Sequence, residues 1–425
     1  MRILLVVYDN GSYDHVFPMG FGAIAAILKE EGHEIKLWNQ DMHHWHDDQL
    51  RIYLDNNKFD VVAISLIAGY YQYKKALGLS RAINRSKNRP TFVMGGYGPT
   101  PEPEYFIEKC QCDIICLGEG EITIVKLMDA LKNKKSLESV PGIAWKDSNG
   151  KTQITERPPQ VEDLDSLPWY PYELFPMHYY RLLQMPRTEA TDFCIPMMSA
   201  RGCTFKCTFC YRMDPGYRKR DPKNLLDEIE FLFKDYGINR ISFQDDLLMS
   251  SVEHTVDVCN EFIRRNIEVT WDCNGRLNYC SPELLRLMKQ AGCALVVMGG
   301  TGGDSHEGAS MSKHLDHLRQ VCHICEEGNL HYTMSQIFGE PGETRETVKE
   351  KLAFLRSVNP AVANLRVGVR MLPGSLIAAQ AKEEGLISDE GDLLRPTFYL
   401  AEPVRDWIVD HLKAEAGQHP RWNVL

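Results

Sequence analysis

The chain has 425 residues, 44% of them hydrophobic and 25% charged, with a formal net charge of −10, which is ordinary for a soluble globular protein with two or three cores. The negative balance argues against a nucleic-acid partner, since phosphate binding wants a basic footprint, and the basic run at 217–220 reads as a solvated loop. No apolar run approaches the roughly 20 residues that span a bilayer.

Residues 2–8 form a short apolar run ending in a Gly-bearing loop, the pattern of a parallel strand covered by helices on both faces. Ala23, Ile24, Ile27 and Leu28 at helical spacing predict a helix from about 20 to 32. Further strands are expected at 35–38, 59–65, 91–96 and 113–118. Strands alternating with helices in this way predict a doubly wound, Rossmann-like α/β domain over residues 1–131. Such sheets bind ligands at the carboxyl ends of their strands. Here those ends carry Asn10, Ser65, Leu66, Tyr70, Gly95, Gly96, Gly118, Glu119 and Gly120, whose glycines let a bulky ligand approach the backbone. No G-x-G-x-x-G follows the first strand, which argues against a dinucleotide. His43, His44 and His46, beside Asp47 and Asp48, read as a solvated polar loop rather than a metal site.

Residues 132–190 read as a linker rich in turn signals, with a hairpin turn at 147–150 and proline breaks near Pro168 and Pro171. Beyond it strand and helix alternate again. Strands are expected at 195–199, 240–243, 268–272, 294–298, 330–338 and 364–369, with a helix at 224–236. This pattern predicts a partial (β/α)6 barrel of the TIM type over residues 191–390, with active residues just past the carboxyl ends of its strands. The tail from 391 to 425, which carries Trp407 and Trp422, is expected to lid the site or pack on the barrel.

Just after the first barrel strand lie Cys203, Cys207 and Cys210, spaced C-x3-C-x2-C, with Phe209 before the last and Tyr211 after it. Three thiolates can hold three irons of a cubane cluster and leave the fourth iron open. A closed zinc site would need a fourth ligand at paired spacing, and none follows. The other ten of the 13 cysteines are scattered through apolar or helical text and read as small core residues. So many thiols, with no signal peptide in view, are expected in a reducing compartment, the cytoplasm.

This chain resembles the cobalamin-binding (class B) radical S-adenosylmethionine (SAM) enzymes over about residues 1–390. The resemblance rests on the cysteine triplet and the order of motifs: a strand ending in Gly95-Gly96, a strand ending in Gly118-Glu119-Gly120-Glu121, then the triplet. Gly339-Glu340-Pro341-Gly342-Glu343-Thr344 and Met371-Leu372-Pro373-Gly374-Ser375 continue it.

It implies a [4Fe-4S] cluster on the three cysteines, SAM on the open iron and cobalamin in the first domain. The D-x-H-x-x-G loop of many cobalamin proteins is absent, Asp14 and His15 being adjacent, so His15 is not expected to ligate cobalt. The lower face of the corrin is expected to meet the loop from Leu66 to Tyr71. SAM contacts implied by position are Phe209, Tyr211, Gln336, and Thr301 in the place of the usual Glu. Asp245 and Asp246 suit the SAM amino group or a helix cap, and Arg276 suits the SAM carboxylate or a structural ion pair.

The implied reaction methylates an unactivated carbon. One SAM methylates cob(I)alamin and another gives the 5′-deoxyadenosyl radical, with an external electron donor such as ferredoxin or flavodoxin. A ring-forming or rearranging enzyme, and a redox sensor built on cluster and cobalamin, are the alternatives. The substrate is expected to be a protein side chain, as in methyl-coenzyme M reductase, or a small molecule.

Overall fold

The computed structural model describes residues 1–11, 17–67, 70–185, 188–205, 207–211, 213, 216–276, 280–300, 311–388, 393 and 395–425. The chain divides into two compact units, Met1–Phe193 and Cys194–Leu425.

The first unit is built on the strands β1 (Arg2–Val7), β2 (Glu34–Asn39), β3 (Val61–Ser65), β4 (Thr91–Gly95), β5 (Ile114–Cys116), β6 (Ile143–Lys146) and β7 (Thr152–Ile154). They form one sheet in the order β2-β1-β3-β4-β5-β6-β7. The first five pair in parallel, and β6 and β7 are antiparallel additions. Ile3, Leu4, Leu5 and Val6 are all buried, as a strand covered on both faces requires. The chain leaves β1 toward β2 and returns on the other side to β3, so the topological switch point lies between β1 and β3.

Residues 132–190, read from their turn signals as a linker, are folded onto this unit. The turn at 147–150 does close a hairpin: the Asp147 carboxylate accepts the N–H groups of Asn149 and Lys151 at 2.9 and 3.0 Å, and Gly150 takes φ 78°. Farther on, Tyr170, Tyr172, Phe175 and Tyr180 surround Phe17 at ring separations of 4.9–6.3 Å. A Cβ on Gly22 would lie 2.7 Å from the Tyr170 ring, so the helix Met19–Glu30 can meet this aromatic group only through a glycine.

The second unit contains β8 (Cys194–Met197), β9 (Ala200–Gly202), β10 (Tyr217–Lys219), β11 (Arg240–Phe243), β12 (Thr270–Gly275), β13 (Cys293–Gly299), β14 (His331–Phe338), β15 (Val362–Val367), β16 (Val369–Arg370), β17 (Phe398–Tyr399) and β18 (Trp422–Val424). Its main sheet runs β8-β11-β12-β13-β14-β15-β18, every neighbour parallel. The six expected barrel strands are present, and the tail adds a seventh. Across this seam the Val367 N–H donates to the Leu425 carbonyl at 2.9 Å, and the Leu425 N–H donates back to the Leu365 carbonyl at 2.9 Å.

Strand alternation gives this sheet two unlike faces. Ile241, Trp271, Val296, Met298, Met334, Phe338, Ala363 and Leu365 are fully buried on the face that packs on helices, where Trp271 stacks on Phe262 of the helix Val252–Arg265. Register places Asn274 with Val297, Gly299 with Ser335, Ser335 with Asn364, and Ile337 with Arg366 on the opposite face. These residues retain exposure and include several polar groups, so the barrel interior is open and polar toward the carboxyl ends.

Candidate cluster and cofactor sites

The cysteine loop hangs between two short strands. β9 and β10 pair antiparallel, Gly202 opposite Tyr217 and Ala200 opposite Lys219, and hold the loop's two ends together. Gly202 has φ 84°, and a Cβ there would lie 2.1 Å from the Gly216 carbonyl oxygen, so another residue would open the bracket. Within the loop the Cys210 N–H donates to the Cys207 carbonyl at 3.2 Å. The three thiols share this loop, and Cys210 is pushed far above the ordinary thiol range by its hydrogen bond with Cys207, by burial and by the nearby Cys207, Cys203 and Asp246. The Ser250 hydroxyl lies 3.8 Å from Cys203 Sγ and Arg276 Nη1 lies 3.3 Å from Cys207 Sγ.

The Met371–Ser375 motif supports the loop from outside. The N–H of Ile377, just past it, donates to the Thr208 carbonyl at 3.0 Å. Gly374, at φ 76°, sits where a Cβ would lie 3.6 Å from the Tyr211 ring. Phe209 and Tyr211 are half-buried. Among the described residues no group of His, Cys, Asp and Glu side chains is arranged to hold a single metal ion. Three thiols on one loop, with donors on two of the sulfurs and no fourth ligand supplied, suit one thiolate per iron of a cubane. The other ten cysteines are buried, as a core role requires, and burial pushes Cys110 up to about 11 and Cys116 to about 12.

Asp245 and Asp246 follow β11 and do different things. Asp245 is buried, and its carboxylate accepts the Ser199 N–H at 2.7 Å, the Ser199 hydroxyl at 2.7 Å and the Ala200 N–H at 2.8 Å. Its role is therefore to fix the entry to the cysteine loop, which corrects its assignment to the SAM amino group. Asp246 is exposed, with one oxygen accepting the Gly202 N–H at 3.1 Å. Because the Ser199 hydroxyl donates to Asp245, it accepts from His254 Nε2 at 3.3 Å, which assigns the Nε2–H tautomer. Burial pushes His254 down to about 4, so this ring is neutral at physiological pH.

Burial pushes Asp245 up to about 7, even though three donors favour its charged form. The folded carboxyl thus holds its proton more tightly than the unfolded one, whose value is 3.8. Its stabilising contribution is complete below pH 4 and is lost as pH rises through 7. Asp245→Asn is expected to remove this component, worth up to about 4 kcal/mol. Chemical unfolding of both chains at several pH values between 4 and 8 checks it, and parallel pH profiles would refute it.

Arg276 is the residue just beyond β12. Its guanidinium lies over the Phe205 ring at 3.5 Å and its Nη1 is directed at Cys207 Sγ at 3.3 Å, so the fold brings it to the cysteine loop. Gln336 belongs to the buried side of β14, is 0% exposed, and donates Nε2–H to the Ile337 carbonyl at 2.9 Å. It is not presented to the barrel interior, so its assignment to SAM is withdrawn. Thr301 lies outside the described residues. Sequence reasoning passed over the polar interior residues Asn274, Ser335, Asn364 and Arg366, whose period-two spacing was the signal available.

At the carboxyl edge of the first unit, the loops are laced together. The Leu66 N–H donates to the Gly95 carbonyl at 2.9 Å, and the Gly98 N–H donates to the Leu66 carbonyl at 3.0 Å. The Thr100 hydroxyl donates to the Gly96 carbonyl at 2.8 Å and accepts the Gly118 N–H at 3.2 Å. Gly96 has φ 98°, and its Cβ would lie 2.6 Å from the Leu66 carbonyl oxygen and 3.1 Å from Ser65 Oγ. A Cβ on Gly120 would lie 2.8 Å from Ile24. At Gly96 glycine is demanded by the protein's own backbone, before any ligand is considered, whereas at Gly120 the neighbour is only the tip of the Ile24 side chain.

The described start of the loop after β1, Tyr8–Gly11, is also held by side chains. The buried Asp41 carboxylate accepts the Asn10 N–H at 2.6 Å, and Asp9 meets Lys75 and His44, each at 2.9 Å. Burial raises Asp9, but Lys75, the Gly11 N–H and His44 outweigh it and hold the carboxyl below its usual range. The remaining histidines of the 43–46 run also have structural jobs: His43 stacks on Trp45 at 4.0 Å and His46 caps the helix Asp47–Asn56. Glu119 is half-buried. His15 and residues 68 and 69 lie outside the described residues, and Tyr70 begins the helix Tyr70–Asn84. Around this edge Ile67, Tyr71 and Tyr97 are exposed at 54%, 44% and 37%, an apolar surface of the kind that a large flat macrocycle covers.

Residues 7–128 match the family model of the B12 binding domain, and residues 197–355 match that of the Radical SAM superfamily. The chain is 26% identical over 355 residues to an uncharacterized methyltransferase, PH0819, of Pyrococcus horikoshii, covering 80% of this chain and 73% of that one. It is 27% identical over 365 residues to the anaerobic magnesium-protoporphyrin IX monomethyl ester cyclase of Rubrivivax gelatinosus, covering 82% of this chain and 63% of the cyclase. In fold it is similar to the radical SAM methyltransferase TsrM of Kitasatospora setae, solved with tryptophan and a SAM analogue. The TM-score is 0.79 at 17% identity, over 99% of this chain and 90% of TsrM. Its cofactors are accordingly cobalamin, a [4Fe-4S] cluster and SAM. A B12-binding sheet followed by a radical SAM barrel, with three converging thiols on the loop after its first strand, makes this chain a member of the cobalamin-binding (class B) radical SAM family of enzymes.

Proposed function

We propose that the chain transfers a methyl group to a carbon that has no lone pair. The observation that carries the reading is the three-thiol loop at the carboxyl end of an open, polar barrel, in a chain that also holds a B12-binding sheet. Ordinary attack on SAM needs a nucleophile, and such a carbon offers none. When bound, the cluster supplies the electron that cleaves SAM to a hydrogen-abstracting radical, and cobalamin supplies a methyl carrier. The protein's own residues then bind and orient. Asp246 would hold the amino group of SAM, the Asp245–Ser199 contacts hold the loop, and the polar interior face would receive the substrate.

A protein side chain, such as a glutamine or arginine carbon in methyl-coenzyme M reductase, is the preferred substrate over a small molecule. In support, residues 422–424 are committed to the sheet edge as β18, which leaves them no part in covering a small ligand. The electron comes from a ferredoxin or flavodoxin. A second reading, ring formation without net methylation, is favoured by the likeness to the cyclase of Rubrivivax gelatinosus. The sensor alternative loses support among relatives named as enzymes.

The deciding experiment is an anaerobic assay of the reconstituted chain with cobalamin, a strong reductant and methyl-deuterated SAM. Methylation predicts both 5′-deoxyadenosine and S-adenosylhomocysteine, with label on a peptide from the candidate substrate. Deoxyadenosine alone, with a product that gains no label, would favour the cyclase reading. A labelled small molecule with unlabelled peptides would remove the protein-substrate preference.

A further inference from the structure

The strand β12 ends at Gly275, and the next residue, Arg276, reaches the cysteine loop. A Cβ on Gly275 would lie 2.4 Å from Val296, so this strand end sits tightly against β13 and gives Arg276 a firm base. The guanidinium makes two contacts with the loop, a flat stack on Phe205 at 3.5 Å and an N–H directed at Cys207 Sγ at 3.3 Å. Phe205 stands two residues before Cys207, so the stack and the hydrogen bond fix the same short piece of chain. Arginine keeps its charge at any pH the enzyme meets, and its planar fork suits a ring face on one side and a sulfur at its edge.

We propose that Arg276 is a positioning residue for the cluster: it donates a hydrogen bond to the Cys207 thiolate and raises the cluster's reduction potential. Reduction adds one electron from an external low-potential donor of the ferredoxin or flavodoxin class, and no bond forms or breaks in that step. The added negative charge spreads over irons and sulfurs, and a cation hydrogen-bonded to one sulfur stabilises it. Hydrogen bonds to the sulfurs and net charge are among the levers that set such potentials. The proposal rests on the reading of Cys203, Cys207 and Cys210 as cluster ligands. It removes Arg276 from the set of SAM ligands.

The test uses the full chain, reconstituted anaerobically, as wild type, Arg276→Lys and Arg276→Leu, with iron and sulfide counted in each. The fraction of reduced cluster is followed by electron paramagnetic resonance against solution potential, in the absence of SAM. SAM affinity is measured separately on the oxidised protein. At the potential where the wild type is half reduced, the loaded Leu variant is expected to show an about tenfold lower ratio of reduced to oxidised cluster, a shift of about 59 mV to more negative potential for one electron. The Lys variant, which keeps the charge and loses the flat stack, falls between. SAM affinity stays within about twofold. Should the Leu variant fail to take up iron, the Lys variant carries the test by its smaller displacement in the same direction.

Equal midpoints in loaded proteins would overturn the proposal. So would a tenfold loss of SAM affinity at an unchanged midpoint, which would return Arg276 to the SAM carboxylate. A wild type that takes up no four-iron cluster would sink the reading of the three cysteines itself, an outcome visible before any variant is compared.

Discussion

Alanine in place of Cys203, Cys207 or Cys210 is expected to leave a folded chain that holds no intact cluster and cleaves no SAM. Each thiol is one of three in a loop to which no fourth ligand is added, so losing one leaves two irons unheld by protein. The loss should exceed the roughly 10–100-fold in affinity or activity that follows removal of an outer-shell partner. Iron and sulfide counts, the visible absorbance of the cluster, and deoxyadenosine release measure it. Cys259→Ala and Cys322→Ala are the controls, because both thiols are fully buried and lie on the helices Val252–Arg265 and Met311–Glu327, outside the cysteine loop. Their cost is a small cavity, with cluster content unchanged. A Cys207→Ala protein that keeps a full, SAM-cleaving cluster would refute the assignment.

The second large effect is on stability. Lys351, 0% exposed on the helix Arg345–Arg356, donates to Glu340 at 2.6 Å, to Glu343 at 2.6 Å and to the Ile337 carbonyl at 3.1 Å. Glu343 also accepts the Gly339 N–H at 3.0 Å, so the whole turn after β14 closes around one ammonium. Lys351→Met keeps most of the volume but leaves two buried carboxylates without their cation. Breaking a buried ion pair from one side costs about 3–5 kcal/mol, and Lys351→Met should lower the stability of the second unit by that order. Chemical denaturation checks it, and the triple change Lys351→Met, Glu340→Gln, Glu343→Gln should recover much of the loss. A single variant as stable as wild type would show that the network adds nothing to the fold.

Much of the architecture was legible because strands buried on both faces read as unbroken apolar runs between turn signals. Residues 2–7, 61–65 and 91–95 are such runs; β11 instead alternates Arg240 and Ser242 with Ile241 and Phe243, and its observed bounds agree with the expected 240–243. The seventh barrel strand was not legible. β18 is three residues long and half-exposed, and it exists only because its backbone finds β15. The stretch 132–190 was misjudged for a related reason: its tyrosines and Phe175 are interrupted by prolines, so no periodicity marks them as core.

In the site, the cysteines were readable from spacing because their ligand geometry is local. The division of labour between Asp245 and Asp246 was not, since it depends on Ser199 and Ala200, about 45 residues earlier in the chain. Arg276 and Cys207 are separated by 69 positions, and only the fold brings them together. Gln336 failed on alternation, because a one-residue step along a strand exchanges the interior for the helix side.

The bracket formed by β9 and β10 bears on how the enzyme matures. In many small metal domains binding and folding are one event, because nothing holds the ligands together beforehand. Here the ladder joining Ala200–Gly202 to Tyr217–Lys219, the Asp245 contacts and the Ile377 N–H tie the loop's anchors to the rest of the unit through protein groups alone. Those ties predict that a chain stripped of its cluster by air keeps its fold and regains iron and sulfide in place, which circular dichroism of the stripped chain and iron counts after reconstitution check.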